Sequence, residues 1–191
     1  MNETPTPRSQ AKADRRQALL DAAASLFAER GFTRVSLEDL GSAAGISGPA
    51  VYRHFDGKQD VLAAMLVDTS TDLCTGAKTV IESAATPRAA LESLIEFHVE
   101  FALGNPNVIR VQDRDLDSLT DDDKHTVRAL QRSYVELWVS TLAQLHPDAA
   151  TTELRTRAHA TFGLINSTPH SGRADSTRAV LERMALAALD A

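Results

Sequence analysis

The sequence predicts an all-α protein of about nine helices. Apolar residues recur at helical spacing, as in Leu20, Ala23 and Phe27. Helix-capping residues precede these periodic segments, and Gly or Pro follows them. No segment alternates between apolar and polar residues as a half-buried strand would, and no internal repeat is present.

Length and composition set the broad class of protein. A chain of 191 residues is long enough for a small helical unit and a larger bundle. Its apolar runs are broken by charges well short of the ~20 residues that a membrane helix needs, and the N-terminus has no signal-peptide core. We therefore predict a cytoplasmic protein without a membrane partner. Cys74 is the single cysteine, so we expect a small buried side chain, with no disulfide, metal or cofactor.

The first helix is predicted over residues 12–30, where Gly31 stops it. Residues 1–11 are rich in Thr, Pro and Ser, and we expect them to be disordered. We call this stretch the N-terminal arm. The cations in it and directly after it either lie across a nucleic-acid backbone or are solvated charges on a tail. They are Arg8, Lys12, Arg15 and Arg16.

A second, short helix is predicted to begin at Leu37. Ser36 and Asp39 have the spacing of a capping box, in which each satisfies the other's free amide. Gly45 ends this helix, because its freedom at positive φ suits a tight turn between two steeply crossing helices. Gly41 interrupts the helix, which we expect to cost about 1 kcal/mol of stability.

The third helix has the pattern of a recognition helix. Ser47 is predicted to cap it, Pro49 fits its first turn, and it is expected to run to about Phe55. Only Val51 and Phe55 are needed for its inward face, so small residues lead and hydrogen-bonding residues follow on the outside. This arrangement suits entry into a major groove about 12 Å wide. Lys58, in the first turn of the next helix, is placed to face a phosphate.

Residues 15–62 resemble the DNA-binding domain of the TetR (tetracycline repressor-like) family. The resemblance rests on LLDAAASLFAERGF, VSLEDLGSAAGIS and PAVYRHFDGKQDVL, with GF, AGIS, Y-x-H-F and Lys at fixed spacings. It implies that Ser36 touches phosphate and that Ser47, Gly48, Pro49 and Ala50 approach base edges. It further implies phosphate contacts for Tyr52, His54 and Lys58. Arg53 is expected to read a base, most plausibly guanine, and Arg15 to join the DNA-binding surface from the arm.

Several of these residues have a simpler alternative. Phe55 is expected in the core, Tyr52 fits either core or phosphate, and His54 or Lys58 alone would be a solvated charge. Gly48 supplies no side chain where relatives carry a polar one, so base reading is expected to rest on few residues and on DNA shape.

The net charge of −6 is unevenly distributed. Residues 1–60 hold eight basic and eight acidic residues, and residues 61–191 hold twelve and eighteen. All the excess acid therefore lies outside the predicted DNA-binding domain at residues 12–62.

The remainder, residues 63–191, is predicted as a helical effector-binding and dimerisation domain. Thr86 and Thr120 are expected to cap helices, and residues 113–123 are expected to form an acidic loop. The predicted helices span about 57–84, 86–104, a short segment from 105, a long one after 120, 149–168 and 174–189, the last two separated by the breaker at 169–172.

The resemblance implies that the last two helices pair with a second copy of the chain. Small and apolar residues favour this interpretation, and a monomer that buries them in its own core is the alternative. The expected dimer residues are Ala158, Phe162, Ile165, Ala179, Leu186 and Leu189.

The resemblance also implies a ligand cavity in this domain. Aromatic residues and a few polar ones are its candidate lining, although each aromatic alone fits a packed core equally well. Arg110 and Arg114 suit an anionic ligand such as an acyl thioester or fatty acid, and ion pairs with neighbouring aspartates are the alternative. The candidate ligand residues are Phe97, His98, Phe101, Arg110, Arg114, Tyr134, Trp138, Phe162 and Asn166.

We therefore expect a homodimeric, sequence-specific regulator of transcription. A repressor released from a pseudo-palindromic operator by an unknown small-molecule effector is the leading hypothesis, with the fourth helix as lever. A ligand-independent or activating regulator is the alternative. An enzyme is the remote one: Asp121–Asp123 and His125 suggest a metal site, but consecutive carboxylates face different directions on a helix and more simply cap it.

Overall fold

The computed structural model describes residues 6–168 and 176–190, and all regular structure in these ranges is helical. The predicted all-α fold is confirmed. The helices are α1 (Pro7–Arg30), α2 (Leu37–Ala43), α3 (Gly48–Val51), α4 (Lys58–Ser83), α5 (Pro87–Gly104), α6 (Pro106–Asp115), α7 (Asp121–Leu145), α8 (Thr151–Ile165) and α9 (Thr177–Asp190), with 3₁₀ helices at Phe32–Arg34 and Leu116–Ser118. None of the described helices is both long and apolar enough to cross a membrane.

Side-chain caps start several helices as the sequence predicts. Ser36 and Asp39 form both bonds of the capping box at α2. Thr86 accepts from the Ala89 amide at 3.1 Å, and Thr120 accepts from the Asp123 amide at 3.2 Å. Ser47 is different: it occupies the N-cap position of α3, but its side chain makes no capping hydrogen bond. The predicted role of its hydroxyl group as a cap is therefore wrong.

Three boundaries differ from the prediction. Helix α1 begins at Pro7 instead of residue 12, because Thr6 accepts from the Ser9 amide and proline suits the first helical position. Helix α3 ends at Val51, and a turn held by the Val51 carbonyl carries the chain to Phe55. Residues 113–118, expected in a loop, complete α6 and the following 3₁₀ helix. The start of the predicted arm (residues 1–5) and the breaker at 169–172 lie outside the described residues.

The described helices surround two hydrophobic cores. The first joins α1, α2, α3 and the start of α4, and it also contains Val108 and Val111 of α6. The second lies among α4, α5, α7, α8 and α9 around the fully buried Trp138, and it contains Ile109 of α6. Helix α6 therefore contributes side chains to both cores.

Cys74 lies in the second core, as predicted. Its thiol donates to the Leu130 carbonyl, with 3.2 Å between Sγ and O. Burial raises the pKa of this thiol, so it remains protonated and acts as a packing group.

Candidate DNA-binding surface and effector cavity

Two glycines shape the turn between α2 and α3. Gly45 has a φ of +66°, as expected for the turn. Gly41 is buried, and a Cβ atom added there would lie 2.7 Å from Val51 Cγ2 and 2.9 Å from the Ile46 carbonyl oxygen. From the sequence alone, Gly41 is expected only to lower the stability of α2. In the structure it permits α3 to pack closely against α2.

Helix α3 and the turn that follows it, residues 48–55, are called the α3 segment, and this segment has an inward and an outward side. Val51 and Phe55 are buried in the first core, as predicted. Tyr52 has 55% of its surface exposed, so it is not a core aromatic. Arg53 is also exposed. Both side chains are therefore accessible to DNA.

A basic cleft lies between the start of α1 and the α3 segment. It has a volume of roughly 590 Å³, and no described residue in its lining is acidic. The lining residues are Arg8, Lys12, Arg15, Gly45, Ile46, Ser47, Ala50, Arg53 and His54. Because α1 extends back to Pro7, its cations lie beside the recognition segment on a helix instead of on a loose tail.

His54 lies within this positive environment. Partial burial, followed by the charges of Lys12, Arg15 and Arg16, lowers its pKa. Its Nδ1 atom is buried and has no hydrogen-bond partner in the described chain. The side chain is therefore neutral at neutral pH, and it would contact a phosphate as a neutral imidazole.

Two predicted phosphate contacts also have partners inside the protein. The Lys58 ammonium donates to the Phe32 carbonyl at 2.8 Å and lies 4.4 Å from the centre of the Phe32 ring. The Ser36 hydroxyl donates to Asp39 Oδ2 at 2.7 Å, and hydrogen bonds from the Ser36 backbone and side chain lower the pKa of Asp39. Both residues therefore stabilise the DNA-binding domain, which we call the reading domain, whether or not they touch DNA.

A cavity of about 220 Å³ lies in the second core. Five predicted ligand residues line it: His98, Phe101, Tyr134, Phe162 and Asn166. Ile109 and Gln112 also line it. The remaining lining residues are not predicted from the sequence: Ser70, Leu73, Val108, Gln131, Val135 and His159. Among these residues, Ser70 is the one whose position could be predicted from the sequence. It lies four positions from both Leu66 and Cys74, so it must share their buried side of the helix.

His98 is the central polar group of this cavity. Its side chain is 3% exposed, and its Nδ1 lies 3.0 Å from the Tyr134 hydroxyl. Burial lowers the pKa of His98 to about 4, although the Asn166 side chain acts in the opposite direction. Burial also raises the pKa of Tyr134. His98 Nε2 and Asn166 Oδ1 are both buried without a hydrogen-bond partner in the described chain.

Four predicted ligand residues lie outside the lining. Trp138 is fully buried behind the cavity, with its ring centre 6.0 Å from that of His98. Phe97 lines a neighbouring groove, where its ring packs against Gly76 of α4. Arg110 is partly buried elsewhere on α6.

The prediction that Arg114 contacts the ligand is wrong, because this side chain contacts α1 of the reading domain. Its guanidinium donates to the Phe27 and Ala28 carbonyls near the C-terminal end of α1. It also pairs with Asp115 at 2.9 Å, as the alternative interpretation expected, and this hydrogen bond raises the pKa of Arg114. A cation near a helix C-terminus is stabilising because carbonyl oxygens accumulate there. Arg114 therefore fastens α6 to α1.

An open groove of roughly 730 Å³ adjoins the cavity. Leu73, Phe101 and Val108 line both spaces. The rest of the groove includes Asp21, Asp68, Asp72 and Glu100, with α1 on one side and α5 on the other. The approach to the cavity from this side is therefore acidic.

The outer surface of α8 and α9 differs from the predicted dimer face. Ala158, Ile165 and Leu189 are fully buried in the second core of their own chain, so the prediction that they contact a partner is wrong. Phe162 lines the cavity and Leu186 is partly buried against the same core. Ala179 is exposed. The large apolar side chains exposed on the described part of this surface are Val180 and Met184, which are 37% and 51% exposed.

Two family models match the chain. Residues 19–65 match "Bacterial regulatory proteins, tetR family", and residues 84–170 match "Tetracyclin repressor-like, C-terminal domain". The HTH-type transcriptional repressor KstR2 of Rhodococcus jostii RHA1 is 30% identical over 143 residues, which cover 74% of this chain and 70% of that one. The chain belongs to the TetR family.

Other relatives are also regulators of transcription. A TetR-family transcriptional regulator from Bordetella parapertussis is 27% identical and superposes with a TM-score of 0.82, covering 92% of this chain and 94% of that one. The HTH-type transcriptional activator FasR of Mycolicibacterium smegmatis is 28% identical over 88 residues, 46% of this chain and 40% of that one. This TetR-family chain is a DNA-binding transcriptional regulator. Most residues of the basic cleft lie in its N-terminal match, and most of the cavity lining lies in its C-terminal one.

Proposed function

We propose that this protein is a homodimeric repressor that a small-molecule effector releases from a pseudo-palindromic operator. The observation that carries the proposal is the double role of α6. Ile109 and Gln112 line the cavity, whereas Val111 and Arg114 pack against the reading domain. A ligand that shifts α6 would therefore move groups that position α1.

A cavity in the second core supports effector control. A fully packed core would favour a ligand-independent regulator, but about 220 Å³ is open beside the unpaired His98 Nε2. Helix α4 joins the same two regions, because Ser70 lines the cavity and Lys58 holds the reading domain. The proposed lever is thus α4 together with α6.

The energetic requirement for release is a difference in affinity between two conformations. To move the population from 1:99 to 99:1, the ligand must favour the DNA-incompetent state by ~5.5 kcal/mol. A ligand that bound both conformations equally would leave operator occupancy unchanged.

The proposed dimer uses the outer surface of α8 and α9. Val180, Met184 and Ala188 recur every four residues on α9, and Ala160 and Gly163 are exposed on α8. Small and apolar residues permit close packing of two helix pairs around a two-fold axis. Such a dimer would present two α3 segments to half-sites about 34 Å apart.

Repression is favoured over activation by the relative that covers more of the chain. KstR2 is named a repressor and matches 74% of this chain, whereas FasR is named an activator and matches 46%. Activation from the same type of operator is the alternative, because the position of the operator decides whether the bound protein represses or activates transcription.

Footprinting on DNA flanking the gene, with a transcription assay on the same fragment, tests the proposal. We expect one protected pseudo-palindrome, and reduced transcription when protein is added. The absence of any protected palindrome would refute sequence-specific regulation, and increased transcription would assign activation. For the dimer, Met184→Glu is expected to give a monomer by analytical ultracentrifugation, with Glu96→Gln on α5 as an exposed control. A dimer that persists in Met184→Glu would exclude this face.

A further inference from the structure

We propose that the cavity binds a small, uncharged ring compound that carries a hydroxyl group, such as a phenol or a cyclic alcohol. The inference rests on the proposed effector role of the cavity and gives that effector a chemical class. Four properties of the lining support it: volume, unpaired polar atoms, aromatic walls and absence of formal charge among the described residues that line it.

The volume limits the ligand to about one ring. A cavity of about 150 Å³ lined by apolar side chains is large enough for benzene. Sites for drug-sized molecules range from about 300 to 1,000 Å³. The present cavity, at about 220 Å³, lies between these values. A single ring with one or two substituents fits it without rearrangement of the helices.

The unpaired polar atoms specify the functional group. When the Tyr134 hydroxyl donates to His98 Nδ1, the neutral imidazole carries its proton on Nε2 and has one donor left. Asn166 Oδ1 accepts no hydrogen bond of good geometry in the described chain, although the Asn166 side chain lies close enough to the His98 ring to oppose the lowering of the His98 pKa. A ligand hydroxyl satisfies both at once, since its oxygen accepts from Nε2–H and its proton is donated to Oδ1. Buried polar groups are rarely left unpaired in folded proteins, which makes this pair a recognition element.

The aromatic walls suit a flat ring. The ring centres of Phe101, Tyr134 and Phe162 lie 6.0, 5.6 and 5.0 Å from that of His98. Tyr134 and Phe162 are also 5.6 Å from each other. These spacings are those of interacting aromatic pairs, so an inserted ring would meet faces and edges on several sides.

The charge distribution disfavours an anion. Among the described residues that line the cavity there is no Lys, Arg, Asp or Glu. The adjoining groove presents Asp21, Asp72 and Glu100, besides Asp68, which pairs with Arg16 at 2.7 Å. The excess of acidic groups there repels a carboxylate or an acyl thioester of coenzyme A. Arg114, the predicted partner of such an anion, instead donates to carbonyl groups at the end of α1.

Three probes of similar size test the proposal on the full chain by thermal melting and calorimetry. Phenol donates and accepts, anisole only accepts, and benzoate is an anion. At a concentration tenfold above its Kd, phenol is expected to raise the melting temperature by about 3–6 °C. Anisole is expected to bind roughly tenfold more weakly, because it leaves Asn166 Oδ1 unpaired, and benzoate is expected to bind more weakly still.

Variants locate the binding. His98→Phe and Asn166→Leu are expected to remove the preference for phenol over anisole. His125→Phe, at an exposed position in the first turn of α7, should keep it. Asn166→Leu keeps the test decisive if His98→Phe does not fold. Equal binding of phenol and anisole, tighter binding of benzoate, or no binding of phenol would each overturn the proposal.

Operator binding, measured on the same preparations, separates this proposal from the proposed function. If the protein protects its palindrome but does not bind phenol, the ligand class is wrong and the repressor assignment stands. If phenol binds with the expected selectivity but no palindrome is protected, the repressor assignment fails and the cavity chemistry stands.

Discussion

Replacing Gly41 by alanine should destabilise this protein, although helix propensity alone predicts the opposite. Alanine in a helix interior is favoured over glycine by about 1 kcal/mol. At Gly41, however, the new Cβ would lie 2.7 Å from Val51 Cγ2 and 2.9 Å from the Ile46 carbonyl oxygen. Neither atom can move cheaply, because valine has a stiff χ1 angle and the oxygen belongs to the backbone of the turn.

The size of the effect follows from these two contributions. Forcing an extra methyl group into a packed core typically costs about 1–3 kcal/mol. After subtracting the propensity gain of about 1 kcal/mol, the free energy of unfolding should fall by up to about 2 kcal/mol. Helix α3 must also move away from α2, which would displace Ala50 and Arg53 from their positions in the basic cleft that is proposed to face DNA.

Chemical denaturation and operator titration measure the two consequences separately. Gly104→Ala is the matched control, because Gly104 also lies in a helix but, outside its own helical backbone and chain neighbours, has no atom within 4 Å of the position its Cβ would take. Gly104→Ala should leave stability unchanged or raise it, and should leave operator affinity unaltered. If Gly41→Ala stabilises the protein as much as Gly104→Ala does, and binds the operator normally, then the close packing of α2 and α3 does not constrain this position.

Three further predictions concern α6, the DNA-binding surface and the buried histidine. Arg114→Gln should lower the melting temperature by about 2–4 °C, because a partly exposed charge-assisted contact to α1 worth about 1 kcal/mol is lost; Arg132→Gln, exposed on α7, is the control, and equal melting of both variants would contradict the α6–α1 link. Lys58→Ala should weaken binding to every DNA sequence and lower the salt slope by about one, whereas Arg53→Ala should relax preference at one base pair; a uniform effect of Arg53→Ala would rule out base reading. His98 stays neutral in the fold with a pKa of about 4 against 6.5 unfolded, so the unfolded state takes up the proton first as pH falls, and stability should decrease by about 2 kcal/mol between pH 7 and 5. Denaturation at both pH values, with His98→Phe as reference, checks this, and an equal decrease in the variant would exclude His98 as the cause.

Local signals predicted most of the fold. Ser36 with Asp39, Thr86 with Pro87, and Thr120 each act within a few residues, so their effects are readable from spacing. The same signal, Thr6 followed by Pro7, was present at α1 but lay within a stretch whose composition suggested disorder. There the local cap outweighed composition.

Contacts distant in sequence account for the failures. Arg114 lies 87 positions from Phe27, so nothing in its neighbourhood shows that it caps α1. Ala158, Ile165 and Leu189 have the composition of an interface but face the core of their own chain, because small and apolar residues suit either setting. The orientation of α8 and α9 about their own axes decides whether these residues face the core or a partner. Packing against α5 and α7 sets this orientation, and periodicity does not specify it.

The two-sided character of α6 also has a consequence for engineered biosensors. Ile109 and Gln112 face the cavity, whereas Val111 and Arg114 face the reading domain, and the two pairs interleave along a single helix. If the cavity binds the effector as proposed, selection for new inducers can vary the first pair and leave the transmission of the signal unchanged. A library restricted to the cavity side should yield altered specificities, whereas one that includes Arg114 should mainly yield proteins that no longer respond.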